Sequence, residues 1–217
     1  MICHKHKCIF VHIQRCGGTS MEKAIVGYDL WQSDERREKH ILASQAKALY
    51  ADYWDNYFKF SFVRNPWDRM VSMAKSYPGT WHVKLDKSQK PLKILEDDGF
   101  KGYKHRFGHP ITIERDRRFY KKDDLTSPRH VKNAVYLNLL DEDLDFIGRF
   151  ENLKEDFAHV AKNIGLNSLD LPHVERKGHK AGGLHYSSYY SEQTKENVRE
   201  LYAKDIDYFN YDFEQKN

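Results

Sequence analysis

Two short stretches of the chain, 8–13 and 57–63, are dominated by apolar residues and predict buried strands. The first runs into one helical pattern, and another leads to the second. Thr19 to Val26 places Met21, Ala24 and Ile25 at helical spacing, and His40 to Leu49 does the same with Ile41, Leu42, Ala48 and Leu49. Further along, Ser127-Pro128 supplies a cap and first turn for a helix through Leu140, Phe146 to Phe150 predicts another strand, and Asn152 and Gly165 bracket a helix. A loop from Pro172 to Tyr190 precedes a final amphipathic helix beginning near Ser191. From 77 to 119 the periodicity is lost, broken by Pro78-Gly79, Gly99, Gly102, Gly108 and Pro110. That region reads as an acceptor-binding insertion or as a solvated, variable one.

The junctions between strand and helix carry the chemistry. After the first strand comes Gln14-Arg15-Cys16-Gly17-Gly18-Thr19-Ser20, a glycine-hydroxyl turn opening a helix and carrying one cation. Glycines let an anion approach the backbone amides, and the helix dipole favours negative charge at its N-terminus. The second strand ends in Arg64-Asn65-Pro66-Trp67-Asp68-Arg69-Met70-Val71-Ser72, where Asn65 suits a cap and Pro66 a first helical turn. Two parallel strands delivering anion-binding groups at their C-terminal ends describe an open α/β sheet with its ligand at the strand tips. Nucleotide triphosphatases need a Lys before the loop hydroxyl and a magnesium-holding Asp at the second strand end. Neither is present, which favours metal-free recognition of a bisphosphorylated nucleotide and counts against a nucleotide kinase.

These two segments resemble the signatures of the sulfotransferases that use 3′-phosphoadenosine-5′-phosphosulfate (PAPS), specifically the carbohydrate-type enzymes. In that comparison Gln14 to Ser20 corresponds to the 5′-phosphosulfate loop, with Arg15, Cys16, Gly17, Gly18, Thr19 and Ser20 against the donor, and Arg64 and Ser72 hold its 3′-phosphate. The resemblance extends through Asp145 to Leu153 and the segment Tyr202 to Ile206, and Arg176-Lys177-Gly178 matches a basic-glycine segment that returns over the 3′-phosphate. It implies a P-loop-like, three-layer α/β fold with a central, mostly parallel sheet flanked by helices, formed as one domain over residues 1–217. It also implies sulfuryl transfer from PAPS to a hydroxyl of a carbohydrate or glycoconjugate. The family loop usually carries Lys at the place of Arg15; Arg keeps the charge but presents a planar fork rather than a point charge. Binding without turnover, in a catalytically impaired nucleotide-binding module, is the alternative this departure raises.

The acceptor hydroxyl must lose a proton, and a histidine neutral near pH 7 suits that role. His40, between the two phosphate segments, matches the stretch in which the carbohydrate-type relatives carry their base, so His40 and Arg15 are the expected catalytic pair.

Composition adds bounds. A 217-residue chain with 40% hydrophobic and 31% charged residues has a substantial core under a polar surface. A net charge of +4 does not describe a nucleic-acid-coating protein, and no recognised nucleic-acid motif is present. Local clusters matter more, and Arg15, Arg64 and Arg69 are expected to draw anions. Cys3, Cys8 and Cys16 form no even disulfide framework, and with His4, His6 and His12 they match no common zinc spacing, so neither disulfides nor a metal are expected. The apolar run 8–13 is too short for a signal peptide or membrane span. A cytoplasmic enzyme, or a bare catalytic domain of a membrane-anchored type, is the expectation.

Overall fold

Strand pairing follows from where the apolar runs lie. β1 (Ile2–Cys3), β2 (Cys8–Val11), β3 (Phe58–Val63) and β4 (Phe146–Arg149) form one sheet in that order. β1 is antiparallel to β2, and β2, β3 and β4 are parallel, with Phe10 opposite Phe60 and Phe60 opposite Phe146. All four residues of β2 are buried, as strands covered on both faces must be. Gly148 is required in β4, because a Cβ there would lie 2.4 Å from the Phe62 ring. The result is the mixed α/β architecture expected from the sequence, a mostly parallel sheet flanked by helices. β1 was not expected: its two residues turn back through His4 to Lys7, where Lys7 adopts a positive φ of 46°.

The computed structural model describes residues 1–33, 38–76, 131, 133–168, 171 and 185–214. They divide into two compact units, Met1–Arg64 with Leu139–Gly178, and Asn65–Asn138 with His179–Lys216. The first holds the sheet with α1 (Gly18–Val26), α2 (Ala43–Leu49), α3 (Ala51–Trp54) and, in a later segment, the helix Leu153–Asn163. Ile9 and Val11 of β2 pack with Ile41, Ala43, Ala46, Tyr50 and Trp54. Ala46, rather than the expected Ala48 and Leu49, faces this core, and Leu49 is exposed. α2 begins at Ala43 instead of His40, so Ile41 and Leu42 precede it and its buried stripe is set by Ala43 and Ala46. At this start Gln45 Oε1 accepts from Leu42 N at 2.9 Å, and Asp141 accepts from Ser44 N at 2.8 Å and from Ser44 Oγ at 2.6 Å.

The second unit contains α4 (Pro66–Ser76), α5 (Tyr136–Leu139) up to Asn138, then, after α6 (Leu153–Asn163) of the first unit, α7 (Glu192–Leu201) and α8 (Ala203–Phe209). Asn65 caps α4 as its sequence predicts, its Oδ1 accepting from Trp67 N at 3.1 Å. Ser191 does the same for α7 through Thr194 N. Asn152 occupies the cap position of α6 without a side-chain bond. Gly165 ends α6 in the left-handed region: Leu166 N bonds Ala161 O at 2.9 Å and Gly165 N bonds Lys162 O at 3.4 Å, the paired bonds of a Schellman stop. In this unit Asp205, fully buried, accepts from the amides of Val135, Tyr136 and Leu137, and Arg69 donates to the Tyr202 hydroxyl at 2.5 Å.

Among the described residues no helix is long and apolar enough to cross a membrane.

Candidate active site

β2 stops at Val11, before the predicted strand end at Ile13. The turn that follows is built from left-handed residues, Arg15 at φ 67° and Gly17 at φ 83°. Gly17 caps α1 with no side-chain bond, and the first turn of α1 carries no acidic residue. The amides of Ser20 and Met21 bond back to Gly17 O at 3.0 and 3.4 Å, while those of Gly18 and Thr19, at the first helical positions, have no intrahelical acceptor. Uncapped amides with the positive end of the helix dipole behind them suit an anion. Gly18 is needed for a different reason from the one its motif suggests. A Cβ there would sit 2.1 Å from His12 Nε2, so the His12 ring lies directly under the start of the helix.

His12 is held in turn by a buried ionic cluster. Its Nδ1 donates to Glu22 Oε1 at 2.6 Å, and Glu22 Oε2 accepts from Lys39 Nζ at 2.7 Å and Leu30 N at 3.2 Å. Lys39 also bonds Asp29 Oδ1, which accepts from Trp31 N at 3.1 Å. Glu22 is 0% and Lys39 6% exposed, so each charge depends on the others for solvation.

His40 stands at the edge of this cluster. Its Nδ1 lies 2.9 Å from the His12 carbonyl oxygen, and the two rings meet edge to face at 4.4 Å between centroids. A carbonyl only accepts, so Nδ1 carries the proton and the lone pair of the neutral ring is on Nε2. Burial first, then the neighbouring His12, pushes the His40 pKa well below its ordinary 6.5. His40 adopts a left-handed φ of 67°, a conformation that non-glycine residues hold only where their surroundings impose it.

Arg64, at the end of β3, reaches the same turn. Its Nη1 donates to Arg15 O at 3.1 Å and its guanidinium stacks 3.9 Å from the centre of the Phe150 ring. Cationic groups, uncapped amides and a neutral imidazole thus surround one strand-to-helix turn. The sulfotransferase family profile matches residues 1–212. The chain belongs to the sulfotransferase family. It is 22% identical over 255 aligned positions to carbohydrate sulfotransferase 10 of Danio rerio, a match covering 97% of this chain and 65% of that protein. The chain therefore spans about two-thirds of the length of this curated relative (65%). No solved structure matches significantly.

Of the residues expected at a sulfotransferase site, Arg15, Gly17, Gly18 and Arg64 come together around the turn, and His40 is joined to it through His12. Thr19 and Ser20 are half-buried in the first turn of α1. Cys16 is buried, its thiol directed to Gln14 O at 3.6 Å. Ser72 belongs to the second unit, buried on α4. Arg176, Lys177 and the segment 77–119 lie outside the described residues. Arg69, expected to help draw anions, is 1% exposed, bonded to Tyr202 and packed 5.5 Å from the Tyr136 ring centre. His12, Glu22 and Lys39 were not anticipated as site residues. A signal for Glu22 was present, since it shares the inward stripe of α1 with Gly18, Met21 and Ile25, where a carboxylate needs a buried partner.

Proposed function

We propose that this family member transfers the sulfuryl group of PAPS to a hydroxyl of a carbohydrate acceptor, with His40 as general base. The observation that carries the reading is the link between base and anion cradle: His12 bonds His40 through its carbonyl and packs its ring under Gly18. The name of the zebrafish relative supports a carbohydrate as acceptor.

The donor set fits such a cofactor. Arg15 and the Gly18 and Thr19 amides suit its 5′ end and Arg64 its 3′-phosphate, all cationic or N–H donors, with no acidic residue in the first turn of α1. When bound, PAPS supplies an activated sulfuryl group on a phosphate leaving group. The protein's share is positioning and charge stabilisation. Arg15 and the helix amides hold anionic oxygens, and the anchored guanidinium of Arg64 fixes the nucleotide end. His40 Nε2 takes the proton of the acceptor hydroxyl, a role open to it at neutral pH because its ring is kept uncharged.

Calorimetric titration of metal-free protein with 3′-phosphoadenosine 5′-phosphate (PAP), beside ATP with magnesium and an Arg64→Ala variant, tests the cofactor class. Tight, metal-independent binding lost in the variant is the expected result. Transfer of radiolabelled sulfate from PAPS to a saccharide panel then tests the reaction. Preference for ATP-magnesium overturns the assignment, and PAP binding without transfer to any acceptor reduces the protein to a nucleotide-binding module.

A further inference from the structure

One more aromatic neighbour of His40 has no part in the chemistry above. Trp31 is 39% exposed, and its ring centroid lies 5.8 Å from that of His40, tilted by 59°. Single exposed aromatics are common and need no explanation. This one differs in how firmly it is held. It sits in a one-turn 3-10 helix, Leu30–Gln32, capped by Asp29 and closed by Ser33 Oγ on Leu30 O at 3.0 Å. Leu30 is buried and its amide is fixed by Glu22, while Asp29 is fixed by Lys39. The Lys39 ammonium also lies 5.5 Å from the indole centre. The ionic cluster that holds His12 therefore sets the position of Trp31 as well. Tyr28, just before the turn, is exposed too, at 37%.

We infer that Trp31 is the acceptor platform: the sugar ring bearing the reacting hydroxyl stacks on its indole and so presents that hydroxyl to His40. An indole offers a large, rigid apolar face with little conformational entropy to lose on binding. A pyranose in van der Waals contact, roughly 4 Å above such a face, has equatorial hydroxyls around its rim, where a neighbouring imidazole can reach one. This rests on the proposed transfer to carbohydrate and adds a recognition residue to it. Trp31 binds and orients the acceptor, and takes no proton.

The test compares wild type, Trp31→Ala and Trp31→Phe, all PAPS-saturated, on the saccharides that the wild type sulfates. Trp31→Ala should raise the acceptor KM by about tenfold or more and leave the PAP dissociation constant unchanged, and Trp31→Phe should recover most of the loss. An unchanged acceptor KM in Trp31→Ala overturns the inference while leaving the sulfotransferase reading intact. If the wild type sulfates phenols or peptide tyrosines but no sugar, both the carbohydrate reading and the inference fail. If no acceptor turns over, the indole N–H resonance of Trp31 is followed by NMR in the PAP complex as chondroitin, heparosan and N-acetyllactosamine oligosaccharides are added. A saturable shift at Trp31 that spares the other indoles supports the platform, and no shift overturns it.

Discussion

The imidazole of His40 and the carbonyl of His12 are joined by a 2.9 Å hydrogen bond, and this single contact determines which nitrogen of His40 is available for chemistry. Because the acceptor is a carbonyl, the bond selects the Nδ1-protonated tautomer and orients the ring. It also ties the ring to the residue packed beneath Gly18, so a shift of that glycine turn is transmitted to His40 within one residue. That is a short path for holding the turn and the imidazole in fixed relation, as the proposed transfer requires.

The first consequence concerns pH. With its pKa held well below 6.5 by burial and by His12, His40 is neutral across the neutral range. A base is active in its unprotonated form, so kcat/KM should be flat from pH 6.5 upward and fall only on the acidic side of 6.5. An NMR titration of the His40 ring should show the same midpoint as the rate profile. His40→Ala should keep its PAP affinity and lose about 100-fold or more in kcat. An acid limb centred at or above the ordinary histidine value, or wild-type turnover in the variant, would remove His40 from the base position.

Glu22 carries a stability prediction. Its carboxylate serves His12, Lys39 and the Leu30 amide in a site closed to water. Removing one member leaves its partners desolvated and unpaired, so Glu22→Gln should lower the unfolding free energy by about 3 kcal/mol. Lys39→Met should also destabilise, and the double variant should lose less than the sum, a coupling measured by urea denaturation in a double-mutant cycle. Strict additivity would mean that the ion pair contributes nothing.

Much of this was legible in the chain, for reasons that can be named. β2, β3 and their following helices were readable because each is a short apolar run ending in glycine or in Asn-Pro, signals that depend only on neighbours in sequence. Asn65, Ser191 and Gly165 behaved as their local chemistry dictates. What the sequence hid was set by partners far along the chain. Lys39 closes a charged run and reads as solvated, yet it is buried because Glu22 and Asp29 face it. Arg69 reads as one more cation of a phosphate segment, yet Tyr202 draws it inward. α2 starts at Ala43 rather than His40, its first turn held by distant Asp141 on Ser44 N as well as by Gln45 on Leu42 N, and His40 stands before it in a left-handed turn.

Two glycines of α1 should respond differently to alanine. At Gly18 the new methyl meets the His12 ring at 2.1 Å, and His12 cannot retreat while Glu22 holds it. Gly18→Ala should therefore cost about 3 kcal/mol and abolish PAP binding. Gly27, which ends α1 at φ 87°, has nothing within 4 Å of its would-be Cβ. Gly27→Ala pays only for the left-handed backbone, about 1 kcal/mol, and should bind PAP normally. Thermal unfolding and calorimetry on the pair separate the two effects, and equal losses in both variants would contradict the assignment of Gly18 to His12 packing.

Asp205 supplies the last prediction, in the second unit. Burial raises its pKa from 3.8 to about 6, opposed by the amides of Val135, Leu137 and Tyr136 and by Arg69. A raised pKa means that the folded state holds the proton more tightly than the unfolded chain. Between the two values the native protein binds more protons, so stability must fall as pH rises from about 4 to about 6 and level off above that. The full span of this contribution is about 3 kcal/mol. Asp205→Asn cannot ionise and should remove the slope. It also turns an amide N–H toward one of the three backbone donors, costing about 1–3 kcal/mol at every pH. Urea midpoints measured from pH 4 to pH 7 on both proteins decide the matter: a wild-type slope that persists unchanged in Asp205→Asn would assign the titration to another group.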